Sequence, residues 1–187
     1  RYSLSANYKS DDVNASFYVI DTDLTLFSNF TYFLDNPDTG DQFEQADDRK
    51  IYGGEIFTTL PLEVTEGSTI TMGAQWRFDD IDNVGLYRTQ NLKRLSTIRE
   101  DAVKSSSYSL FAQSNIVLSD DLSLSLGGRY DYLDVEVDSD LAANSGNKGD
   151  GLFTLKAALK YAVSENLTAF ANVGQGFHSN DARGATI

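Results

Sequence analysis

The chain has 187 residues, a net charge of −13 and no cysteine; that length suits one domain, and the composition excludes a disulfide framework, an iron–sulfur cluster and a cysteine zinc site. Its acidity argues against nucleic acid as a partner, because phosphates would be repelled, and the single histidine, His178, leaves no histidine cluster for a metal. Two prolines among abundant Tyr, Phe, Ser, Thr and Gly make a mixture poor for helices and suited to strands and turns.

In chain order, Tyr2, Leu4, Ala6 and Tyr8 alternate with Ser3, Ser5, Asn7 and Lys9, which predicts a strand over 1–9 with one apolar face. After Ser10-Asp11-Asp12, the segment 13–33 holds Val13, Ala15, Phe17 and Val19 in one phase and Leu24, Leu26, Phe30 and Tyr32 in the other. Such a switch predicts a bulge or bend near Asp21-Thr22-Asp23. A long acidic loop, Leu34–Lys50, leads to strands over 51–64 and 69–78 that flank the turn TEGS, Thr65–Ser68. In the second of these, Ile70, Met72, Ala74, Trp76 and Phe78 oppose Thr71, Gly73, Gln75 and Arg77. A second long loop, Asp79–Lys104, precedes strands over 105–118 and 122–137, joined by Ser119-Asp120-Asp121. The third, Asp138–Asp150, precedes 151–163 and 167–177, joined by Ser164-Glu165-Asn166.

Short and long connections thus alternate strictly, which in an up-and-down array puts every tight turn at one end. No apolar run is long enough for a transmembrane helix, but a membrane strand needs only about 9–11 alternating residues. A bilayer leaves open sheet edges unsatisfied. The pattern predicts an all-β fold, an antiparallel up-and-down transmembrane β-barrel of about eight strands, with 1–187 as one barrel segment. Trp76, Phe78, Tyr108, Tyr130, Tyr132, Tyr32 and Phe33 lie on the long-loop side, where an aromatic girdle belongs. The competing architecture is a soluble β-sandwich or lipocalin-like barrel, whose strands also alternate.

The stretch LSLSLGGRYDY, Leu122–Tyr132, reads as a depth gauge. Its leucines face lipid, its serines face the lumen, Gly127-Gly128 narrows the strand, and Tyr130 and Tyr132 mark the outer headgroups. Arg129 and Asp131 point inward with Arg77, Gln113, Asn115, Lys156 and Lys160; they are candidate ligand contacts or members of a lumenal ion-pair network in which Lys156 is the expected partner. Beyond Tyr132 the apolar phase moves to Leu133, Val135 and Val137, so the strand either leaves the lipid or takes a bulge. In the first long loop, Asp41, Phe43 and Glu44 are candidate ligand contacts, although the acid spacing does not match an EF-hand and reads as a solvated acidic loop. GQGFHSNDARG, Gly174–Gly184, adds His178, Asp181 and Arg183 as candidate contacts. No nucleophile and base are placed for catalysis, and no phosphate loop is present.

Two stretches carry a family resemblance: SLFAQSNIVLSDDLSLSLGGRYDYLDVEV (Ser109–Val137) and ALKYAVSENLTAFANVGQGFHSNDARGA (Ala158–Ala185). They are similar to barrel strands of TonB-dependent outer-membrane receptors, through Leu124, Leu126, Gly128, Arg129, Tyr130 and Asp131, then Leu159, Tyr161, Leu167, Phe170, Ala171, Asn172, Gly176 and Phe177. The stretch Leu26–Lys50 resembles one branch of the same family. This likeness implies active uptake of a scarce nutrient across a Gram-negative outer membrane, with ferric siderophore the commonest substrate class. It also implies the partners: outer-membrane lipid, a small-molecule or metal-chelate substrate, and the TonB complex, reached through a plug region. No plug, TonB box or terminal aromatic strand is recognisable, so the expectation is an internal part of a larger barrel, without cofactor and without catalysis. The alternatives are a small barrel serving as anchor or adhesin, and a soluble β-sandwich binding module.

Overall fold

A computed structural model of the chain describes residues 1–29, 31–176 and 182–185. Eight strands form one antiparallel sheet in sequence order: β1 (Tyr2–Lys9), β2 (Asn14–Ser28), β3 (Phe43–Pro61), β4 (Thr69–Gln90), β5 (Lys93–Ser119), β6 (Leu122–Ser139), β7 (Gly146–Ser164) and β8 (Leu167–Gly174). Each strand pairs only with its chain neighbours, so β1 and β8 are edges among the described residues. A sandwich would need two sheets packed face to face; here there is one. His178 and Asp181, with Phe177, lie outside the described residues.

Register fixes the faces. Leu124, Leu126 and Tyr130 of β6 stand opposite Leu159, Ala157 and Phe153 of β7, and opposite Ile116, Ser114 and Leu110 of β5. This face is apolar almost throughout; its Ser114 hydroxyl donates to the Leu126 carbonyl at 3.4 Å. The opposite face is concave, since one cavity of about 650 Å³ is lined from five adjacent strands by Glu55, Gln75, Phe111, Arg129 and Lys156 among others. From Leu122 to Tyr132 the outward apolar band spans about 33 Å of strand at ~3.3 Å per residue. A tilt of about 40° shortens this to about 25 Å, the height of the apolar belt of an outer-membrane barrel.

The upper edge of that belt is a ring of aromatics set by pairing. Tyr52 opposes Phe78, Trp76 opposes Tyr108, Tyr108 opposes Tyr132, and Tyr130 opposes Phe153. Phe78 and Tyr108 meet edge to face at 5.4 Å, a favourable quadrupole arrangement. Tyr130 leans across Gly151, where a Cβ would come within 2.3 Å of its hydroxyl. Tyr32 and Phe33 do not join the ring. They sit in the 29–42 connection with left-handed φ of 50° and 69°, beyond the end of β2.

Three expectations about the connections are corrected. The long loops are in part strand: β3 takes in the second half of Leu34–Lys50 from Phe43 on, and β4 and β5 run through Asp79–Lys104 to a two-residue turn at Asn91-Leu92. Between β6 and β7 lies only the short connection Asp140–Ser145, with a 3-10 turn at Ala142–Asn144. Glu44, Asp47 and Asp48 therefore belong to a strand, not to a solvated loop. The switch of phase in β2 needs no bulge, because its pairing with β1 and β3 runs without a slip. In β6 the register is continuous through Leu133–Val137, which removes the bulge and leaves the other expectation, an exit from lipid.

The phase switches have one physical cause. Above the aromatic ring there is no lipid, so outward positions become charged: Asp80 on β4, Lys104 on β5, Asp134 and Glu136 on β6. Inward positions become apolar, and Ile51, Ile81, Val103, Val135 and Val137 are the buried aliphatic side chains of the molecule among the described residues. Ile81, Val103 and Val137 form one packed cluster with Val84 beside it. A single helical turn, Ala182–Ala185, rests against β6 and β5.

Candidate functional site

Within the membrane belt, the concave face is a polar groove whose centre is Arg129. Its Nε donates to Asp131 Oδ1 at 2.8 Å and Oδ2 at 3.0 Å, and its Nη2 donates to Ser109 Oγ at 2.8 Å. Ser109 Oγ in turn donates to Asp131 Oδ1 at 2.6 Å. Strand alternation dictates the pairing, because residues two apart share a face and β5 presents Ser109 directly opposite Asp131. The guanidinium also lies 6.0 Å from the Phe111 ring centroid, within cation–π range. Arg77 and Asp79 repeat the device on β4, with contacts of 2.6 and 2.7 Å.

Lys156 is not the partner of Asp131. Register places Leu152 opposite Asp131 and Lys156 opposite Gly127, about 13 Å further along the strand at ~3.3 Å per residue. Its side chain lies over Gly127, where a Cβ would come within 2.7 Å of Lys156 Cε. Gly127 therefore admits a lysine into the groove instead of narrowing the strand. Above this level, a second cavity of about 720 Å³ is walled by Arg77, Asp79, Arg129 and Asp131, with Ser105, Ser107 and Ser109 as its small-residue floor. Among the described residues, no three acidic or histidine side chains are grouped to hold a metal ion.

The loop candidates occupy a separate, upper site. Asp41 accepts from the Thr31 hydroxyl and from the Asp35 amide at 3.0 Å, while its own amide donates to Asn29 Oδ1 at 3.0 Å. The Thr31 hydrogen bond, with the backbone donors, holds its carboxyl below the usual aspartate range despite opposing desolvation. Phe43 opens β3 opposite Ser28 and Arg88. Glu44 is buried and takes a bidentate contact from Arg94, at 2.8 Å from Nε and 2.6 Å from Nη2. That contact keeps Glu44 ionised below the ordinary glutamate range and raises the Arg94 guanidinium. Arg183 reaches Asp101 Oδ2 at 3.7 Å. Arg129 and Asp131 are thus brought together, Asp41 to Glu44 form a second group, and Arg183 stands apart.

Sequence reasoning missed the clamp beneath Glu44. Arg94 lies 3.7 Å above the Tyr87 ring, and Tyr87, only 2% exposed, donates to Glu100 Oε2 at 2.8 Å and receives Asn83 Nδ2 at 3.0 Å. Burial, aided by the Glu100 carboxylate, raises the phenol and keeps it protonated. Gln42 Oε1 closes the group, accepting from Thr89 Oγ1 at 3.1 Å and the Leu92 amide at 3.0 Å. The missing signal was the turn: Asn91-Leu92 takes φ of 50° and 63° without the glycine that advertises a tight hairpin.

An outward apolar belt, an aromatic rim and a polar, charge-bearing concave wall together define a stretch of transmembrane barrel built for solute passage. The chain matches the TonB-dependent receptor-like β-barrel family over residues 1–186, and it belongs to that family. The family is one of outer-membrane transport proteins of Gram-negative bacteria, served by TonB, and not of enzymes. No curated protein matches the chain.

Proposed function

We propose that the chain forms part of the barrel wall of a receptor that takes up a scarce nutrient, ferric siderophore first among the classes, driven by TonB and the proton-motive force. The observation that carries this reading is the two-sided wall, apolar toward lipid and lined inside by paired Arg–Asp groups above a serine floor. Such a surface offers donors and acceptors to a polar solute without leaving a net charge to trap it. Arg129 and Asp131 meet the solute in this reading; Asp41 and Glu44 hold the walls of the vestibule, with Phe43 and Arg183 toward its mouth, and His178 and Asp181, outside the described residues, are further candidate contacts. The unpaired edges of β1 and β8 support a wall completed by further strands, since lipid does not tolerate open edges. The plug and TonB contact belong to that larger assembly.

The test is uptake by intact cells. Strains with and without the receptor are offered radiolabelled iron on a panel of siderophores, and the strain lacking TonB serves as control. Receptor- and TonB-dependent accumulation of one chelate is the expected result. Growth and accumulation indifferent to the receptor across all chelates would remove the siderophore reading, and repetition with corrincobalt or oligosaccharide substrates would then assign the class.

A further inference from the structure

The hairpin formed by the upper ends of β4 and β5 outgrows its neighbours. β3 pairs with β4 only as far as Phe43 opposite Arg88, and β6 pairs with β5 only as far as Ser139 opposite Asp101. Beyond Glu100 the β5 arm is flanked only by β4, whereas the β4 arm keeps β3 and Gln42 beside it up to Thr89; an isolated two-stranded ribbon would be marginal in water. This one is held from Glu100 up to its turn by the Glu44–Arg94–Tyr87–Glu100 clamp and by Gln42, which accepts from the Leu92 amide. Its tip is therefore presented in a fixed form, which lowers the ordering cost of binding.

What the tip presents is unusual for this molecule. Residues 86–99 read LYRTQNLKRLSTIR, with four cations and no carboxylate in a chain of net charge −13. Arg88 and Lys93 are exposed and form no ion pair among those found in the described residues. Leu92, Leu95 and Ile98 are 61%, 65% and 43% exposed. The register explains the last two: pairing slips between Leu86/Tyr87 and between Arg88/Thr89 leave Ile98 and Leu95 as the extra residues of two bulges. A bulge re-aims its side chain and interrupts the edge, so these bulges expose apolar groups while blocking addition of another strand.

Height decides between lipid and protein as the occupant. From Tyr108 in the aromatic ring to Lys93, leaving out the two bulged residues, the strand covers about 43 Å at ~3.3 Å per residue, or about 33 Å of elevation at a tilt of about 40°. The headgroup layer is only about 5–8 Å thick on each side. The cavities described above do not include Leu92, Leu95 or Ile98, whose side chains stand exposed.

We infer that the β4–β5 tip is a docking surface for an acidic protein partner, its apolar side chains seated on Leu92, Leu95 and Ile98 and its carboxylates on Arg88 and Lys93. The inference rests on the hairpin alone and is independent of the transported substrate. To test it, cells displaying equal amounts of receptor are titrated with a fluorescent peptide of interleaved Glu and Leu, with poly-glutamate of equal length, and with labelled phosphatidylglycerol vesicles. The Glu/Leu peptide is expected to bind tightest and to weaken with salt. R88Q with K93Q is expected to cost about tenfold in affinity, and L95S with I98S to reduce the Glu/Leu peptide to the poly-glutamate level. Neither variant touches the clamp, so the hairpin is retained, as protection of its backbone amides from hydrogen exchange would verify. Equal binding of the two peptides, no binding of either, wild-type affinity in either variant, or preference for the vesicles overturns the proposal.

Discussion

Below the aromatic ring, β6 turns Leu122, Leu124, Leu126 and Tyr130 outward and Arg129 inward; above it, the same unbroken strand turns Asp134 and Glu136 outward and Val135 and Val137 inward. β2 changes phase at the same level, with Phe17 and Val19 outward below and Leu24 and Leu26 on the inward face above, although these two leucines stay exposed. One covalent pattern of alternation thus serves two solvents. Lipid rewards apolar groups on the convex side, and water rewards them on the concave side, where neighbouring side chains can exclude it. The comparison teaches that a change of apolar phase along a barrel strand marks a change of medium as readily as a bulge.

The strongest way to break this comparison is to place one charge on each half. Leu155→Arg, in the middle of the belt, is expected to destabilise the lipid-folded protein by about 2–4 kcal/mol. Asp134→Arg, outward but above the ring, should stay within about 0.5 kcal/mol. Urea titration in lipid vesicles measures both, and equal costs would mean that the ring does not mark the membrane boundary. Next in size, Val137→Ala is expected to cost about 2 kcal/mol from lost burial and the cavity it leaves, seen as faster hydrogen exchange in upper β5 and β6. The matching Val163→Ala change near the turns should leave those amides untouched.

Smaller effects sharpen the picture of the upper half. Arg94→Ala should loosen the hairpin by about 1 kcal/mol, a modest figure because the guanidinium is half exposed. Glu44 has a lowered folded-state pKa, so its contribution is present above the ordinary glutamate value and lost as pH falls below about 4. Hydrogen exchange of β4–β5 amides should show that acid loosening in the native chain and not in Arg94→Ala. Smallest is Leu92→Gly: relief of a left-handed leucine gains about 1 kcal/mol, part of which glycine's freedom in the unfolded chain takes back. The expected net gain is about 0.5 kcal/mol, and a loss would mean that the Leu92 side chain is held by contacts within the hairpin.

The fold was legible where the chain meets lipid, because there the alternation is strict and each turn carries Asp, Asn, Ser or Gly. Leu122–Tyr132 shows its faces correctly, and the strand expected over 122–137 has nearly the right ends. Legibility failed above the ring. The 79–104 stretch mixes phases because Leu95 and Ile98 are bulged, and its turn lacks glycine, so strand looked like loop. Inward Arg129 and Asp131 could be placed from parity alone, but their mutual pairing and the role of Ser109 depend on register between strands. The Arg94–Glu44 contact joins residues fifty positions apart, and no local pattern announces such a pair.

The nearest-neighbour order of the sheet has an evolutionary consequence. Every strand answers only to the two beside it, so a whole hairpin can be duplicated or deleted while all other registers stay intact. The circumference of such a wall is free to vary in steps of two strands. The level of the aromatic rim is not, because each strand must cross the same bilayer, and a lineage that changes its bore must still keep that one latitude.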